Sequence, residues 1–550
     1  MNRRTFFKLA SAALAIRPRE LLARDGGATL YNGIRLADPW PPQRRSLPDV
    51  PIAPPYLVDP PAVIPIDLGR QLFVDDFLIE QTSLARTFHR ADYHPASPVL
   101  TPIKAWEKYD GTADRTKTHP NPAAMPFSDG VFFDPQDRLF KMWYMGGYSE
   151  SVCYATSRDG IHWDRPLLDV IAGTNVVYNG NRDSSTVWID QYERDAARRY
   201  KMALWHDHYL EQFISPDGIH WKKTGNSGTT GDRTTFFYNP FRGVWVFGLR
   251  SEQDAGPRHR LYWETPDFVG GTRWGAEPVQ WIGADKADWR RPEYNVQPEL
   301  YNLDCVAYES IVLGLFTMFR GERNIREKPN DVCVGYSRDG FHWARPDRAA
   351  FISVSEREGD WNWANVQSAG GGCLVVGDTL YFYVSGRQGV PGTTEPGVCS
   401  TGLATLRRDG FVSMDEPGSA RIERVRTDLP PGTLITRPVR FSGRHLYVNL
   451  KAPAGELRVE MLDAAGKTIA PYTSAACVPV RGDSTSVRVV WSGAQDLAPI
   501  ANRPVRFRFQ LTNGALYAFW VSAETTGASH GYVAAGGPGF TGPTDTIGRR

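Results

Sequence analysis

Short runs in which apolar and polar residues alternate follow one another along most of the chain, and this period of two predicts β-strands. Gln71–Glu80 (QLFVDDFLIE) is one such run. Between runs lie turn sequences such as Asp134–Asp137 (DPQD), which separates two segments rich in aromatic and β-branched residues. Past the N-terminal segment, no stretch approaches the ~20 consecutive apolar residues that a membrane-spanning helix needs. The pattern therefore predicts an all-β protein without a membrane span.

A seven-residue turn, Ser-x-Asp-Gly-x-His-Trp, recurs between these strands at Ser157–Trp163, Ser215–Trp221 and Ser337–Trp343. Degenerate copies lie at Glu264–Trp274 and Leu406–Phe411. Five units of about 50–70 residues, each containing the same turn, are typical of a radial repeat and predict a five-bladed β-propeller. Glycine accepts the positive φ of a tight reversal and Asp can bind nearby backbone N–H groups, so we interpret these turns as structural.

The pattern divides the chain into five regions. Residues 1–25 carry Arg3-Arg4-Thr5-Phe6-Phe7-Lys8 and a short apolar run, which resembles a twin-arginine export signal and predicts a periplasmic or extracellular location. Residues 26–65 are Pro-rich and predict an extended surface linker. Residues 66–415 hold the propeller, with Gln71–Glu80 expected to pair with the last blade and close the ring. Residues 416–525 predict a C-terminal β-sandwich, and residues 526–550 a Gly-rich flexible tail.

Composition and net charge limit the classes of molecule that the protein is expected to bind. The formal net charge of the 550 residues is +2 with no long run of one sign, which argues against nucleic acid or an anionic membrane as a partner. Aromatic residues make up 12% of the chain and could stack on sugar faces. The six cysteines form no CxxC pair and have no metal-site spacing, so we expect neither a metal site nor a cofactor.

The position just before the innermost strand of each blade suggests where chemistry could occur. Reading it in all five units gives Asp129, Asp183, Asp232, Glu299 and Gln367. If the units are related by rotation, these side chains should surround one pocket at one mouth of the central channel. Carboxylates that converge there would shift one another's pKa values, as a paired acid and base require. The alternative is that each Asp caps its own turn.

These features resemble the furanosidase-type glycoside hydrolases of families 32, 43 and 68, which combine five blades, inner-strand carboxylates and an appended β-sandwich. The segment Asn181-Arg182-Asp183-Ser184 resembles the Arg-Asp-Pro motif of family 32, with Ser184 in place of the proline. The resemblance implies that Asp183 contacts sugar hydroxyls and supports the transition state, with Arg182 beside it in the site.

The other catalytic motifs match only in part. Asp129 lies near the place of the first-blade nucleophile or base, but PFSDGV lacks the family's Asn-Asp-Pro-Asn-Gly pattern. The third blade has Gly231-Asp232-Arg233 where the family has a Glu in a Glu-Cys-Pro-like setting, and Arg233 is a candidate substrate contact. Glu299 resembles the general acid by local sequence but falls one blade later.

We therefore expect a secreted glycoside hydrolase that cleaves an oligo- or polysaccharide by carboxylate acid/base chemistry. Trp361 and Trp363 are the candidate sugar-stacking rings, or else they pack the loop that carries them. One alternative is a non-catalytic carbohydrate-binding propeller. Another is a sialidase-like hydrolase, since the repeated turn resembles the sialidase Asp-box with one residue fewer between Asp and Gly.

Overall fold

A computed structural model of the chain describes residues 27–548, apart from residue 45 and residues 109–120, 181, 252–255, 275–277, 322–325 and 417–429. The proposed export segment, 1–25, lies outside the described residues. Helix is confined to α1 (Pro55–Val58), α2 (Ala105–Lys108) and two 3-10 turns, Ala196–Arg198 and Ala498–Ile500. Within the described ranges, no helix is long and apolar enough to cross a membrane.

Five antiparallel sheets form the blades of a propeller. Before them in sequence come β1 (Ile64–Pro65), β2 (Gln71–Leu72), β3 (Ile79–Thr82), β4 (Ala85–Phe88) and β5 (Asp92–Tyr93). Blade 1 is built from β6 (Ala124–Asp134), β7 (Leu139–Gly146), β8 (Ser151–Ser157) and β9 (Val176–Asn179). Blade 2 is built from β10 (Ser185–Ile189), β11 (Tyr200–His206), β12 (Tyr209–Ser215) and β13 (Lys222–Thr229). Blade 3 is built from β14 (Thr235–Asn239), β15 (Val244–Leu249), β16 (His259–Thr265) and β17 (Val279–Gly283).

The last two blades each take a strand from a distant part of the chain. The added strand of blade 4 comes from the C-terminal segment described below, and that of blade 5 is β5. Blade 4 contains β18 (Glu299–Glu309), β19 (Ile311–Phe319) and β20 (Asn330–Ser337). Blade 5 contains β21 (Asn365–Ser368), β22 (Leu374–Val376), β23 (Thr379–Arg387) and β24 (Cys399–Arg407). Strand β5 pairs with β24 and completes blade 5. The predicted fold class, a five-bladed propeller followed by a second β domain, is confirmed.

The three full copies of the repeated turn, hereafter the box turns, have the same hydrogen bonds. In the first, the backbone N–H of Gly160 donates to Ser157 Oγ at 2.8 Å, and those of Ile161 and His162 donate to Asp159 Oδ1 at 2.8 Å each. His162 Nδ1 lies 2.7 Å from the other carboxylate oxygen of Asp159. The glycines of the three copies, Gly160, Gly218 and Gly340, have φ +76°, +78° and +83°. These positive angles are the ones that the turn sequence predicts for glycine.

Each box turn, full or degenerate, also joins its blade to the preceding one. A polar side chain of the neighbouring blade donates a hydrogen bond into the turn, usually to its backbone. The five bonds are Tyr383 Oη to Gly160 O (2.6 Å), Trp143 Nε1 to Gly218 O (2.7 Å), Gln212 Nε2 to Phe268 O (2.7 Å), Trp281 Nε1 to Phe341 O (2.8 Å) and Tyr308 Oη to Asp409 Oδ1 (2.6 Å). The structural interpretation of the turns follows from these contacts.

The C-terminal domain is an eleven-stranded assembly. Its own strands are β25 (Val412–Asp415), β26 (Gly432–Thr436), β27 (Val439–Arg440), β28 (His445–Asp463), β29 (Val480–Arg488), β30 (Val505–Thr512) and β31 (Ala515–Ser522). The long strand β28 pairs with β31 along its first half and with β30 along its second half, which joins the two parts of the domain. The rings of Phe73, Phe509 and Phe519 pack between them, with centroids 5.2–6.3 Å apart.

Two predictions are wrong, one about the pairing of a strand and one about a flexible tail. Gln71–Glu80 does not close the propeller, because β2 pairs with β31 and β3 pairs with β26 in the C-terminal domain. The described part of the predicted tail, 526–548, is folded: strand β32 (Tyr532–Val533) pairs with β18 of blade 4. Its Asp545 is buried and accepts from Arg408 at 3.0 Å.

The Pro-rich segment is also more than a spacer. Leu30, Ile34 and Trp40 are buried against the propeller, and Tyr31 stacks on Phe241 of blade 3 at 4.5 Å between centroids. Further along, β1 pairs in parallel with β27. The segment therefore connects the two domains along their surfaces.

Candidate functional site

A bulge in the innermost strand of blade 1 brings all five blades together on the channel axis. Met125 pairs with Met145 and Gly130 with Trp143, so four residues of β6 lie opposite a single residue of β7. Phe127 and Ser128 have positive φ, +40° and +69°. A Cβ on Gly130 would lie 2.9 Å from a backbone oxygen of blade 2, so only glycine fits. The bulge lies where the five blades meet. We call residues 126–130 the floor bulge, and we call the polar region around it, at the centre of the ring, the funnel.

Asp129 lies in this floor bulge and pairs with Arg182 of blade 2. Arg182 Nη1 lies 3.0 and 2.8 Å from the two carboxylate oxygens, and both side chains are fully buried. Burial raises the pKa of Asp129 to about 7, although the charges of Arg182 and Arg233 act in the opposite direction. The site thus contains a carboxyl group whose ionisation is disfavoured by burial and favoured by the neighbouring guanidinium groups.

Arg233 crosses the channel from blade 3 to blade 1. The backbone N–H of Arg233 donates to Ser184 Oγ at 2.8 Å. Its guanidinium group donates to Phe127 O and Ser128 Oγ at 3.1 Å each. Burial lowers the pKa of Arg233, while the carboxylates of Asp183 and Asp304 act to raise it. Arg233 therefore supports the floor bulge and lies between two carboxylates.

Sequence reasoning missed Asp304, a buried carboxyl group on β18. It accepts from Asn302 Nδ2 at 2.8 Å, from Ser128 Oγ at 3.3 Å, and from Ser368 Oγ. Burial raises its pKa, and these hydroxyls and Arg233 moderate that increase. The available signal was the pair of polar residues, Asn302 and Asp304, at alternate positions of an otherwise apolar strand.

Asp183 and Gln367 present oxygen atoms that no protein group satisfies. Asp183 is partly exposed, and its Oδ2 is buried with no hydrogen-bond donor among the described residues. The amide nitrogen of Gln367 donates to Asn365 at 2.8 Å, which leaves its Oε1 likewise unpaired within the described ranges. Arg182 Nη2 is a buried donor that has no acceptor among the described residues. This region therefore contains buried acceptors and a buried donor that no described group satisfies.

Asp232 and Glu299 are partly exposed and form ion pairs with Arg250 and Arg258 respectively. Arg250, Arg258 and Arg233 lie close enough to Arg260 that their charges lower its pKa. The inner carboxylates of blades 1 and 2 face Arg233 directly. Each of the four predicted carboxylates thus lies near at least one arginine of a connected group.

Tyr301, on the inner strand of blade 4, was also missed. Its hydroxyl lies 3.3 Å from Lys328 Nζ, and the guanidinium of Arg233 lies 5.6 Å from its ring centroid. Burial would raise the pKa of Tyr301, but the charges of Lys328, Arg387 and Arg233 together lower it. Arg387 is itself held by Glu327, with Nη1–O distances of 2.9 and 3.0 Å. Nothing in the local sequence distinguishes this tyrosine from the strand aromatics around it.

The structure does not support sugar stacking by Trp361 and Trp363. The ring of Trp361 covers the glycines Gly386 and Gly402 of blade 5 and meets Tyr93 edge to face at 5.5 Å. Trp363 is buried, with the Arg326 guanidinium 5.3 Å from its centroid. Both rings pack their loop against the blade, which was the alternative interpretation.

No group of three or more His, Cys, Asp or Glu side chains within the described parts of the chain is arranged to hold a metal ion. All six cysteines are buried free thiols.

Comparisons with known proteins add similarities in structure only. No protein-family model matches the chain, and neither does any curated protein sequence. Among solved structures, an N-acetylgalactosamine deacetylase from F. plautii matches with 15% identity and a TM-score of 0.37, over 64% of this chain and 99% of its own. A fructofuranosidase from Schwanniomyces occidentalis matches with 10% identity and a TM-score of 0.33, over 71% of this chain and 93% of its own.

An exo-beta-1,3-galactanase from Phanerochaete chrysosporium matches with 12% identity and a TM-score of 0.34, over 79% of this chain and 99% of its own. At such values the strand pairing described above, rather than these matches, establishes the fold of this chain.

Proposed function

We propose that the funnel binds a carbohydrate and hydrolyses a glycosidic bond. The observation that carries this proposal is the set of unpaired polar atoms around the floor bulge. Asp183 Oδ2, Asp304 Oδ1 and Gln367 Oε1 are acceptors without a described donor, and Arg182 Nη2 is a donor without a described acceptor. Leaving buried polar groups unpaired costs about 1–3 kcal/mol each, so a ligand rich in hydroxyl groups would offset that cost.

The carboxyl groups supply the two protonation states that glycoside hydrolysis requires. Asp183, the partly exposed carboxylate with a free oxygen, serves as base or nucleophile. Asp129 supplies the proton, because burial holds its pKa near 7 while Arg182 fixes its position. Asp232 and Glu299 contact the substrate further out.

The test is a screen of oligo- and polysaccharides with detection of released sugars, followed by Asp183→Asn and Asp129→Asn on the substrate found. Removing a general acid or base typically costs 10²–10⁴-fold in rate, so each variant should lose at least about 10²-fold in kcat. Glu358→Gln is the matched control, because it removes an exposed carboxylate in a loop of the propeller. This variant should keep full activity. If both funnel variants keep full activity, the site assignment fails.

A carbohydrate-binding propeller without catalysis is the second candidate, favoured by the ion pairs that hold Asp232 and Glu299. The same screen separates the two candidates. A glycan that the protein retains but never cleaves supports the binding function, and released sugar supports the hydrolase.

We also propose that the protein acts outside the cytoplasm, on the basis of Arg3-Arg4 and the apolar run after them. Arg3→Lys combined with Arg4→Lys should keep the protein in the cytoplasmic fraction of the cell, whereas the unchanged sequence should leave it. Equal distribution of both forms would contradict export by this route.

A further inference from the structure

Four arginines meet where blade 3 adjoins blade 4. Arg233 precedes β14, Arg250 follows β15, and Arg258 and Arg260 lie at the start of β16. Arg260 is completely buried and donates through Nη2 to the backbone oxygen of Tyr301. We call these four residues the arginine group.

The described carboxylates balance only part of this group. Asp232 pairs with Arg250 and Glu299 pairs with Arg258. Arg233 forms no direct ion pair with a described carboxylate, but the carboxylates of Asp183 and Asp304 lie close enough to act on its charge. Arg260 forms no ion pair with a described carboxylate, and its buried Nε atom has no acceptor among the described residues. Burial and the charges of the other three arginines lower the pKa of Arg260 to about 9. A buried guanidinium without a counter-ion is unfavourable, so the group is stabilised when an anion binds.

Lys328 extends the positive surface toward solvent. Its ammonium lies 5.7 Å from the Tyr301 centroid, and the guanidinium of Arg258 lies 5.8 Å from the same centroid. The side chains of Arg250, Arg258 and Lys328 are 29%, 25% and 19% exposed, so a ligand can reach them from the mouth of the funnel.

We propose that the funnel recognises a negatively charged sugar, a uronate or a sulfate ester, whose anionic group binds the arginine group and Lys328. This inference rests on the proposed carbohydrate site, because the unpaired oxygens of Asp183 and Gln367 in the same funnel would accept from the hydroxyls of the same ligand. Guanidinium groups bind carboxylate and sulfate oxygens through paired N–H donors, which a neutral sugar cannot use as fully.

The test measures Tm with three probes: sodium glucuronate, glucose and sodium sulfate, each against sodium chloride at equal ionic strength. Ligands that bind only the folded state raise Tm, and a concentration well above Kd should give a rise of about 2 °C or more. Glucuronate should give this rise and glucose should give less. Arg258→Gln, at a partly exposed position, should abolish the difference. Arg194→Gln, at an exposed arginine of blade 2, is the control and should preserve it.

The outcomes are distinct. If glucose protects as well as glucuronate, or if neither anion exceeds chloride, the inference is overturned. Protection by sulfate alone would mean an inorganic anion site and would also overturn it. Cleavage of neutral glycans with no glucuronate effect would leave the hydrolase standing and remove the anionic preference. Glucuronate binding without cleavage of any uronate-containing or sulfated glycan would support the inference and remove the hydrolase.

Discussion

The box turns at the blade edges and the funnel at the centre occupy equivalent positions in all five repeats, yet they differ in every respect that matters for function. In the box turns the same Ser and Asp oxygens accept the same backbone N–H groups, and the neighbouring blade adds one more bond. In the funnel the five equivalent positions hold three Asp, one Glu and one Gln in different surroundings. Asp129 is held by Arg182, whereas Asp183 and Gln367 each have a buried oxygen that no described group satisfies. Repetition of the same hydrogen bonds marks the part that holds the ring, and divergence among the inner positions marks the part where we propose that a ligand binds.

The largest effect should come from the box tryptophans, which are not equally buried. Trp343 is 7% exposed and packs against Trp281 and Phe316, whereas Trp163 is half-buried. Trp343→Ala should lower the free energy of unfolding by about 3–5 kcal/mol, as for an aromatic ring removed from a core, and Trp163→Ala by roughly half as much. Denaturant unfolding measures both. A Trp343→Ala protein that is fully folded but inactive would instead assign the box to the site.

The pH dependence of Asp129 sharpens the comparison. Its folded pKa, about 7, lies above the ordinary 3.8, so the folded state keeps a proton that the unfolded state has lost. Its contribution to stability should therefore fall as pH rises from about 4 to about 7, by on the order of 2–4 kcal/mol. Asp129→Asn should flatten the dependence of Tm on pH over this window. An unchanged slope in the variant would show that Asp129 is ionised throughout.

The box carboxylates should behave in the opposite sense. Burial opposes the shift, but the hydrogen bonds that His220 and the backbone N–H groups donate lower the pKa of Asp217 to about 2. Its stabilisation is present above pH 4 and should be lost as pH falls toward 2. Asp217→Ala should cost about 1 kcal/mol at neutral pH, as for loss of a capping side chain, and should weaken this acid-induced loss. Asp159→Ala in blade 1 is the equivalent change, and clearly unequal effects would contradict equivalence of the two turns.

The repeat made the blades predictable from sequence, and with them the blade on which each of Asp129, Asp183, Asp232 and Glu299 lies. What escaped prediction depends on contacts between distant segments. Alternation identified Gln71–Glu80 as strand-forming but carries no information about its partner, which is β26 and β31 rather than blade 5. Glycines between 526 and 550 suggested mobility, although the two residues of β32 pair with blade 4.

Within the site, sequence reasoning found carboxylates at or near the start of the inner strands, and it missed Asp304 and Tyr301 further along one of them. Asp304 and Tyr301 lie on β18, where the surrounding apolar residues gave the strand its identity. The floor bulge was also missed, because positive φ at Phe127 and Ser128 is imposed by contacts with three other blades rather than by their own side chains. Rotational symmetry predicts where a position lies, but not how one blade departs from it.

The return of the C-terminal segment to blade 4 has a consequence for how the protein is made. Strand β32 and Asp545 are synthesised after all five blades, yet they complete contacts with Glu309 and Arg408 of blades 4 and 5. Until then those buried charges lack part of their surroundings, which disfavours the finished ring. Maturation of the propeller therefore waits until this segment has been synthesised, and a nascent chain that stalls before residue 530 should remain a substrate for chaperones rather than a working protein.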